Sequence, residues 1–130
     1  MRNKFLGTGE PGWRPVRKIL VVLSGLRFAV VYDVSVAWKA AVSAVALLVF
    51  ALAGHWRDFL IVLVATGQML AVELINSAIE GVCDFLVDRE DRRIKAIKDM
   101  AAAGAGIGIA FWLLVIVWEA GYLFDAWPGP

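Results

Sequence analysis

The run FLIVLVATGQMLAV, residues 59–72, passes without a break into VELINSAIEGVCDF, residues 72–85. The first part carries no charge, and its polar side chains are Thr66 and Gln68. The second part brings Glu73, Asn76, Ser77, Glu80 and Asp84 before the helical pattern stops. A helix from Phe59 to about Val87 is roughly 40 Å long at 1.5 Å per residue, against a hydrocarbon core of about 30 Å. The stretch therefore reads as a membrane span whose far end rises into the headgroups.

Two further apolar runs flank it. WKAAVSAVALLVFALAG (38–54) is short for a span, and MAAAGAGIGIAFWLLVIVWEAGYLF (100–124) is ample. Ahead of them, WRPVRKILVVLSGLRFAVVYDVS (13–35) mixes apolar residues with Arg14, Arg17, Lys18 and Arg27, and Pro15 suits the first turn of a helix. That mixture predicts an amphipathic helix on the membrane surface, its cations facing anionic headgroups, rather than a fourth span that would bury four positive charges. The fold class expected is an all-α membrane protein: one domain over residues 1–130, a surface helix (13–35) and three transmembrane helices (38–54, 59–87, 100–124).

Orientation follows from the cations. Arg2, Lys4, Arg14, Arg17, Lys18 and Arg27 precede the first span, Lys39 stands at its start, and Arg89, Arg92, Arg93, Lys95 and Lys98 lie between the second and third. The opposite side has Arg57. The positive-inside rule then puts the N-terminus and the 85–99 loop in the cytoplasm and the C-terminus outside, as in a multi-pass inner-membrane protein. ALAG (51–54) has the small-x-small look of a cleavage site, but the leader would be too long and too charged. Trp38, Trp56, Trp118 and Trp127 fall near span ends as interfacial anchors, whereas Trp112 is mid-span and is expected to pack on another helix. No basic stripe suits nucleic acid, and the single cysteine, Cys83, excludes an intramolecular disulfide.

At about 100° per residue, Glu73, Asn76, Ser77, Glu80 and Asp84 fall within an arc of roughly 100°. Counted from Asp58, Glu73 lies about 22 Å along the helix and Glu80 about 33 Å, so the stripe climbs from inside the cytoplasmic leaflet to its surface. A carboxylate at such depth costs a few kcal/mol unless a partner, a metal or water meets it. Three readings compete. Helix–helix contact could use Asn76 and Ser77 alone, and a proton or ion path would need polarity across the whole membrane. A catalytic site at the leaflet surface, where a lipid hydroxyl meets a water-soluble co-substrate, uses every residue of the stripe. Lys98 and Asp99, expected where the third span begins, could hold a phosphate there, with the helix N-terminus adding to its attraction for anions.

ELINSAIE (73–80), KDMAA (98–102) and the upstream GLR (25–27) resemble the small integral-membrane prokaryotic diacylglycerol kinases and their undecaprenol kinase relatives. The resemblance covers residues 14–118 and implies a homotrimer, with active sites shared between neighbouring subunits, that phosphorylates a lipid alcohol from Mg·ATP. It implies Glu73 as general base, Asn76 as polar lining of the active site and Glu80 as a ligand of Mg²⁺. Lys98 and Asp99 would contact ATP, Arg14 would lie near its phosphates, and Asp33 falls where the family has a second metal-binding glutamate. Diacylglycerol is the first expectation for the acceptor and undecaprenol the second; the non-enzyme alternative is a small oligomeric channel or assembly protein. Departures are the shorter Asp33, the VSVAWK that follows it, and Ala102 where many members have serine.

GAGIG (104–108) is no phosphate loop, since it neither fits G-x-G-x-x-G nor follows a strand. Gly104 and Gly108, with Ala101 and Ala105, form instead a small-residue packing face suited to trimer contacts. His55 has no second ligand nearby and is read as interfacial, and Cys83 as a packing residue.

Overall fold

A computed structural model describes residues 15–87 and 89–124. They form four helices: α1 (Pro15–Tyr32), α2 (Val34–Leu52), α3 (Trp56–Leu86) and α4 (Arg92–Leu123). Among the described residues there is no strand, and α2, α3 and α4 are long and apolar enough to cross a membrane. Arg2, Lys4, Arg14 and Trp127 lie outside the described residues.

Each junction has a local cause. A single extended residue, Asp33, separates α1 from α2, and its Oδ1 accepts the backbone N–H groups of Ser35 at 2.8 Å and Val36 at 3.3 Å. An aspartate N-cap satisfies donors that the first turn leaves open, so α2 begins at Val34, four residues before the apolar run at 38. α2 ends in a Schellman motif: His55 N–H donates to the Phe50 carbonyl and Gly54 N–H to that of Ala51, each at 3.2 Å. Gly54 has φ +74°, a left-handed conformation that glycine enters without a Cβ penalty. That sharp stop folds α3 back along α2.

α4 starts earlier than the apolar run suggests. Asp91 caps it by accepting the Arg93 N–H at 2.7 Å, and Lys95 bonds Asp99 across one turn at 2.8 Å. The segment 92–99, expected within a loop, is thus two turns of charged helix. Lys98 and Asp99 therefore do not stand at a helix N-terminus, and the N-terminal attraction for anions, confined to the first turn, does not reach them.

At 1.5 Å per residue, the 31 residues of α3 and the 32 of α4 each run close to 48 Å, against roughly 28 Å for the 19 of α2. α3 is the central element, with α4 packed along it, α2 on another side, and α1 crossing the start of α2 and the last turns of α3. Trp112 of α4 is 1% exposed and meets Trp38 edge-on at 6.4 Å between ring centroids, the helix contact expected of it. Cys83 is buried.

The small-residue face of α4 is used unequally within the chain. A Cβ on Gly108 would collide with Cγ2 of Val72, whereas one on Gly104 would meet nothing within 4 Å. Val72 is β-branched and held to few rotamers, so it yields poorly. Gly108→Ala is expected to lower the thermal unfolding midpoint in detergent relative to Gly104→Ala, by the equivalent of roughly 1–3 kcal/mol of overpacking. Equal midpoints would show that α3 and α4 do not meet closely at Gly108.

Candidate active site

The deepest acidic group is Glu73, 3% exposed on α3. Its Oε1 lies 2.9 Å from the Nζ of Lys39, itself 4% exposed, and its Oε2 accepts the Ser35 hydroxyl at 3.3 Å. Lys39 also donates to Ser35 Oγ at 2.6 Å and passes over the Trp38 ring, 5.5 Å from its centroid. Ser35 and Lys39 share a face of α2 because they are four residues apart. The result is a closed charge pair inside the helix packing, with one α2 side chain on each carboxylate oxygen.

One turn along α3, Ser77 donates its hydroxyl to Oδ2 of Asp33 at 2.5 Å. Asp33 thus ends α1, caps α2 and grips α3. The Ser77 hydroxyl is the main cause that holds the Asp33 carboxyl below its ordinary value of 3.8; burial opposes it, and the two backbone N–H groups assist. Three residues on from Ser77 is Glu80, on the same face of α3 and one turn nearer its C-terminal end. Glu80 Oε1 accepts Asn76 Nδ2 at 3.0 Å, while Asn76 Oδ1 is buried without a hydrogen-bond partner.

Beyond Glu80 the charges become mixed. Lys98 of α4 reaches Oδ1 of Asp84 at 2.8 Å, and the Glu80 carboxylate also contributes to the field at its ammonium. The cations Arg89, Arg92, Lys95 and Lys98 and the carboxylates Asp84, Glu90, Asp91 and Asp99 together line an open cleft of about 800 Å³ where α3 turns into α4. A second hollow, about 670 Å³, lies between α1 and α3; Val22, Phe28 and Leu74 give it apolar walls, and Asp33 and Ser77 line it too.

Of the residues picked out in the sequence, the structure bonds Asn76 to Glu80, ties Asp33 to Ser77, and brings Lys98 and Asp99 into one cleft. Glu73 does not bond Glu80; it turns to α2. Arg14 lies outside the described residues. Among the described residues no three acidic, histidine or cysteine side chains gather as a metal cage.

Residues 21–119 match the sequence profile of prokaryotic diacylglycerol kinase. The chain belongs to that family. A 46-residue stretch is 46% identical to the diacylglycerol kinase of Helicobacter pylori, covering 35% of this chain and 36% of that one. The matched stretch thus spans about a third of that relative's length. Along α3 the arrangement has three levels: a buried charge pair with α2, the Asp33–Ser77 and Asn76–Glu80 bonds, and a cleft of mixed charge shared with α4.

Sequence reading took Lys39 for a flanking positive-inside charge, and Ser35 drew no notice. The signal was present but depended on where α2 begins. With the span set at 38–54, Lys39 sits at its edge; with Asp33 as cap, Lys39 lies inside the helix, one turn past Ser35.

Asp33→Asn keeps the cap and Asp33→Ala loses it, so Ala is expected to cost about 1 kcal/mol more in unfolding free energy. The depressed Asp33 carboxyl stabilises the fold fully above its ordinary value of 3.8, and that contribution is lost as pH falls below it. Acid titrations of the wild type and Asp33→Asn should therefore converge below about pH 3.8 and separate above it. Parallel curves throughout would contradict the assigned hydrogen bonds.

Proposed function

We propose that the chain is a lipid kinase that transfers the γ-phosphoryl group of Mg·ATP to the hydroxyl of a membrane lipid. Diacylglycerol is the first choice of acceptor, giving phosphatidic acid, and undecaprenol is the second. The observation that carries this reading is the order of groups along α3 and α4. A buried carboxylate, further polar groups and a cleft of mixed charge that holds four cations follow one another from lipid depth toward water. Family membership supports the same reaction, and the name of the Helicobacter pylori relative favours diacylglycerol.

Phosphoryl transfer asks a protein mainly for positioning and charge stabilisation. Glu73 is assigned by resemblance as the group that accepts the proton of the lipid hydroxyl, and its burial on α3 supports that reading. The hollow between α1 and α3 offers apolar walls to the acyl chains, and Asn76 lines the polar tier. Lys98 is suited to the phosphates as a point charge, and Asp99 shares its cleft. Arg14 is assigned by resemblance to the same phosphates.

Asp33 and Glu80 fit magnesium in kind. Mg²⁺ prefers oxygen donors, keeps several waters and binds through one or two carboxylates together with phosphates, so no three-residue cage is required. Asp33 retains its charge and one spare lone pair, on Oδ2, beside the three bonds it already accepts, and Glu80 Oε2 is open to a further bond. Bound magnesium would neutralise charge on the transferring phosphoryl group.

We further propose that the protein works as a homotrimer in the inner membrane, with the N-terminus and the α3–α4 turn in the cytoplasm. The cations Arg89, Arg92, Arg93, Lys95 and Lys98 at that turn support the orientation. α1 is read as a headgroup-level helix: Ile19, Leu20, Phe28 and Val31 are exposed on it beside Arg17, Lys18 and Arg27.

The test is purified protein in mixed micelles with Mg·ATP, given diacylglycerol and undecaprenol in parallel. Wild type should phosphorylate one of them, and Glu73→Gln should lose about 10²-fold or more in kcat while still assembling. Folded wild-type protein that phosphorylates neither lipid would refute the kinase reading. Asp33→Ala should raise the magnesium concentration needed for half-maximal rate; an unchanged magnesium dependence would remove Asp33 from the metal site.

A further inference from the structure

We infer that Lys39 is a positioning residue for phosphoryl transfer, countering and aiming the Glu73 carboxylate from the neighbouring helix. The inference rests on the kinase reading, because it needs Glu73 to act as the base.

The geometry is specific. Lys39 and Glu73 are 4% and 3% exposed, their charged atoms are 2.9 Å apart, and no third ionised side chain bonds either one among the described residues. An acid left alone in apolar surroundings takes up a proton rather than stay charged, and a carboxyl group that already holds a proton cannot accept one from substrate. Lys39 supplies the counter-charge at a depth where headgroup water does not. It also fixes direction. Lys39 engages Oε1 and Ser35 engages Oε2, so the carboxylate plane is set against α2 and each oxygen keeps a free lone pair.

Lys39 is itself restrained. The Ser35 hydroxyl at 2.6 Å and the Trp38 ring at 5.5 Å hold the ammonium on the α2 side. In the transfer step the lipid oxygen bonds to the γ-phosphorus as the bond from that phosphorus to the ADP oxygen breaks. The hydroxyl proton passes to Glu73. Lys39 makes no bond to substrate in this step; it acts through Glu73.

The experiment compares Lys39→Gln, Lys39→Arg and Ser35→Ala with wild type, measuring kcat and the KM for Mg·ATP with diacylglycerol or undecaprenol, whichever the wild type accepts. Folding is checked by circular dichroism and gel filtration. Lys39→Gln should lower kcat about 30-fold or more, a share of what a positioned base contributes, with KM for Mg·ATP changed less than about twofold. Lys39→Arg keeps the charge and should restore kcat to within about fivefold of wild type. A folded Lys39→Gln protein with wild-type kcat overturns the inference. So does a Lys39→Arg protein that folds but is as slow as Lys39→Gln. Should Lys39→Gln not fold, Ser35→Ala decides: it keeps the charge pair, and a drop in kcat of about threefold or more at constant KM supports the inference, whereas wild-type kcat overturns it. Wild-type protein without kinase activity would fell the functional reading itself, and this inference with it.

Discussion

A carboxylate inside a lipid bilayer must be answered by a counter-charge, and in this protein the Lys39–Glu73 pair meets that demand. The cost of an isolated charge at such depth is about 2.5–3.5 kcal/mol on insertion scales, and breaking a buried pair by removing one partner costs about 3–5 kcal/mol. Neither α2 nor α3 could therefore take its place comfortably without the other. The pair sets the register between the two helices, and the contact from Ser77 to Asp33, one turn away, repeats it. Once α2 is registered on α3, the start of α2 is fixed at Asp33 and α1 must leave from that point. Much of the arrangement of α1, α2 and the second half of α3 thus descends from two polar contacts rather than from apolar packing alone.

Length then converts register into depth. α3 runs well past the start of α2, so its last turns and the first turns of α4 stand clear of α2 and carry charged side chains. Glu73, Glu80 and Asp84 lie on successive stretches of one helix face, at about 10 Å and 6 Å intervals along the axis. A lipid hydroxyl is confined to the headgroup boundary and a nucleotide to water. On the proposed kinase reading the chain serves both, which needs polar groups at graded depths, and one overlong helix provides them. The hollow between α1 and α3 and the cleft at the α3–α4 turn lie on either side of that gradient.

Most of the fold was legible in the sequence, because span length and the segregation of charge are strong signals. The four helices, the packing of Trp112 and the polar stripe on α3 all follow from periodicity. Helix ends were less legible. The apolar run marks where lipid begins, not where the helix begins, so the capping aspartates Asp33 and Asp91 moved two boundaries. That error hid the environment of Lys39 and placed Lys98 and Asp99 at a helix start they do not occupy. The stripe residues were recognisable as a set, but their partners were not. Whether Glu73 turns toward Glu80 or toward α2 is decided by a contact 34 residues away in sequence, which no local pattern encodes.

The most direct measurement of this account is the separation between the Lys39 ammonium and the Glu73 carboxylate in a lipid bilayer. Solid-state NMR dephasing between lysine ¹⁵Nζ and glutamate ¹³Cδ reads it, with Lys39→Arg as the control that removes the label. A dephasing signal that corresponds to direct contact, with Nζ 2.9 Å from Oε1, and that vanishes in Lys39→Arg is the predicted result. Dephasing that is absent, or that survives the substitution, would mean that Glu73 is answered by something else and that the register proposed for α2 and α3 is wrong.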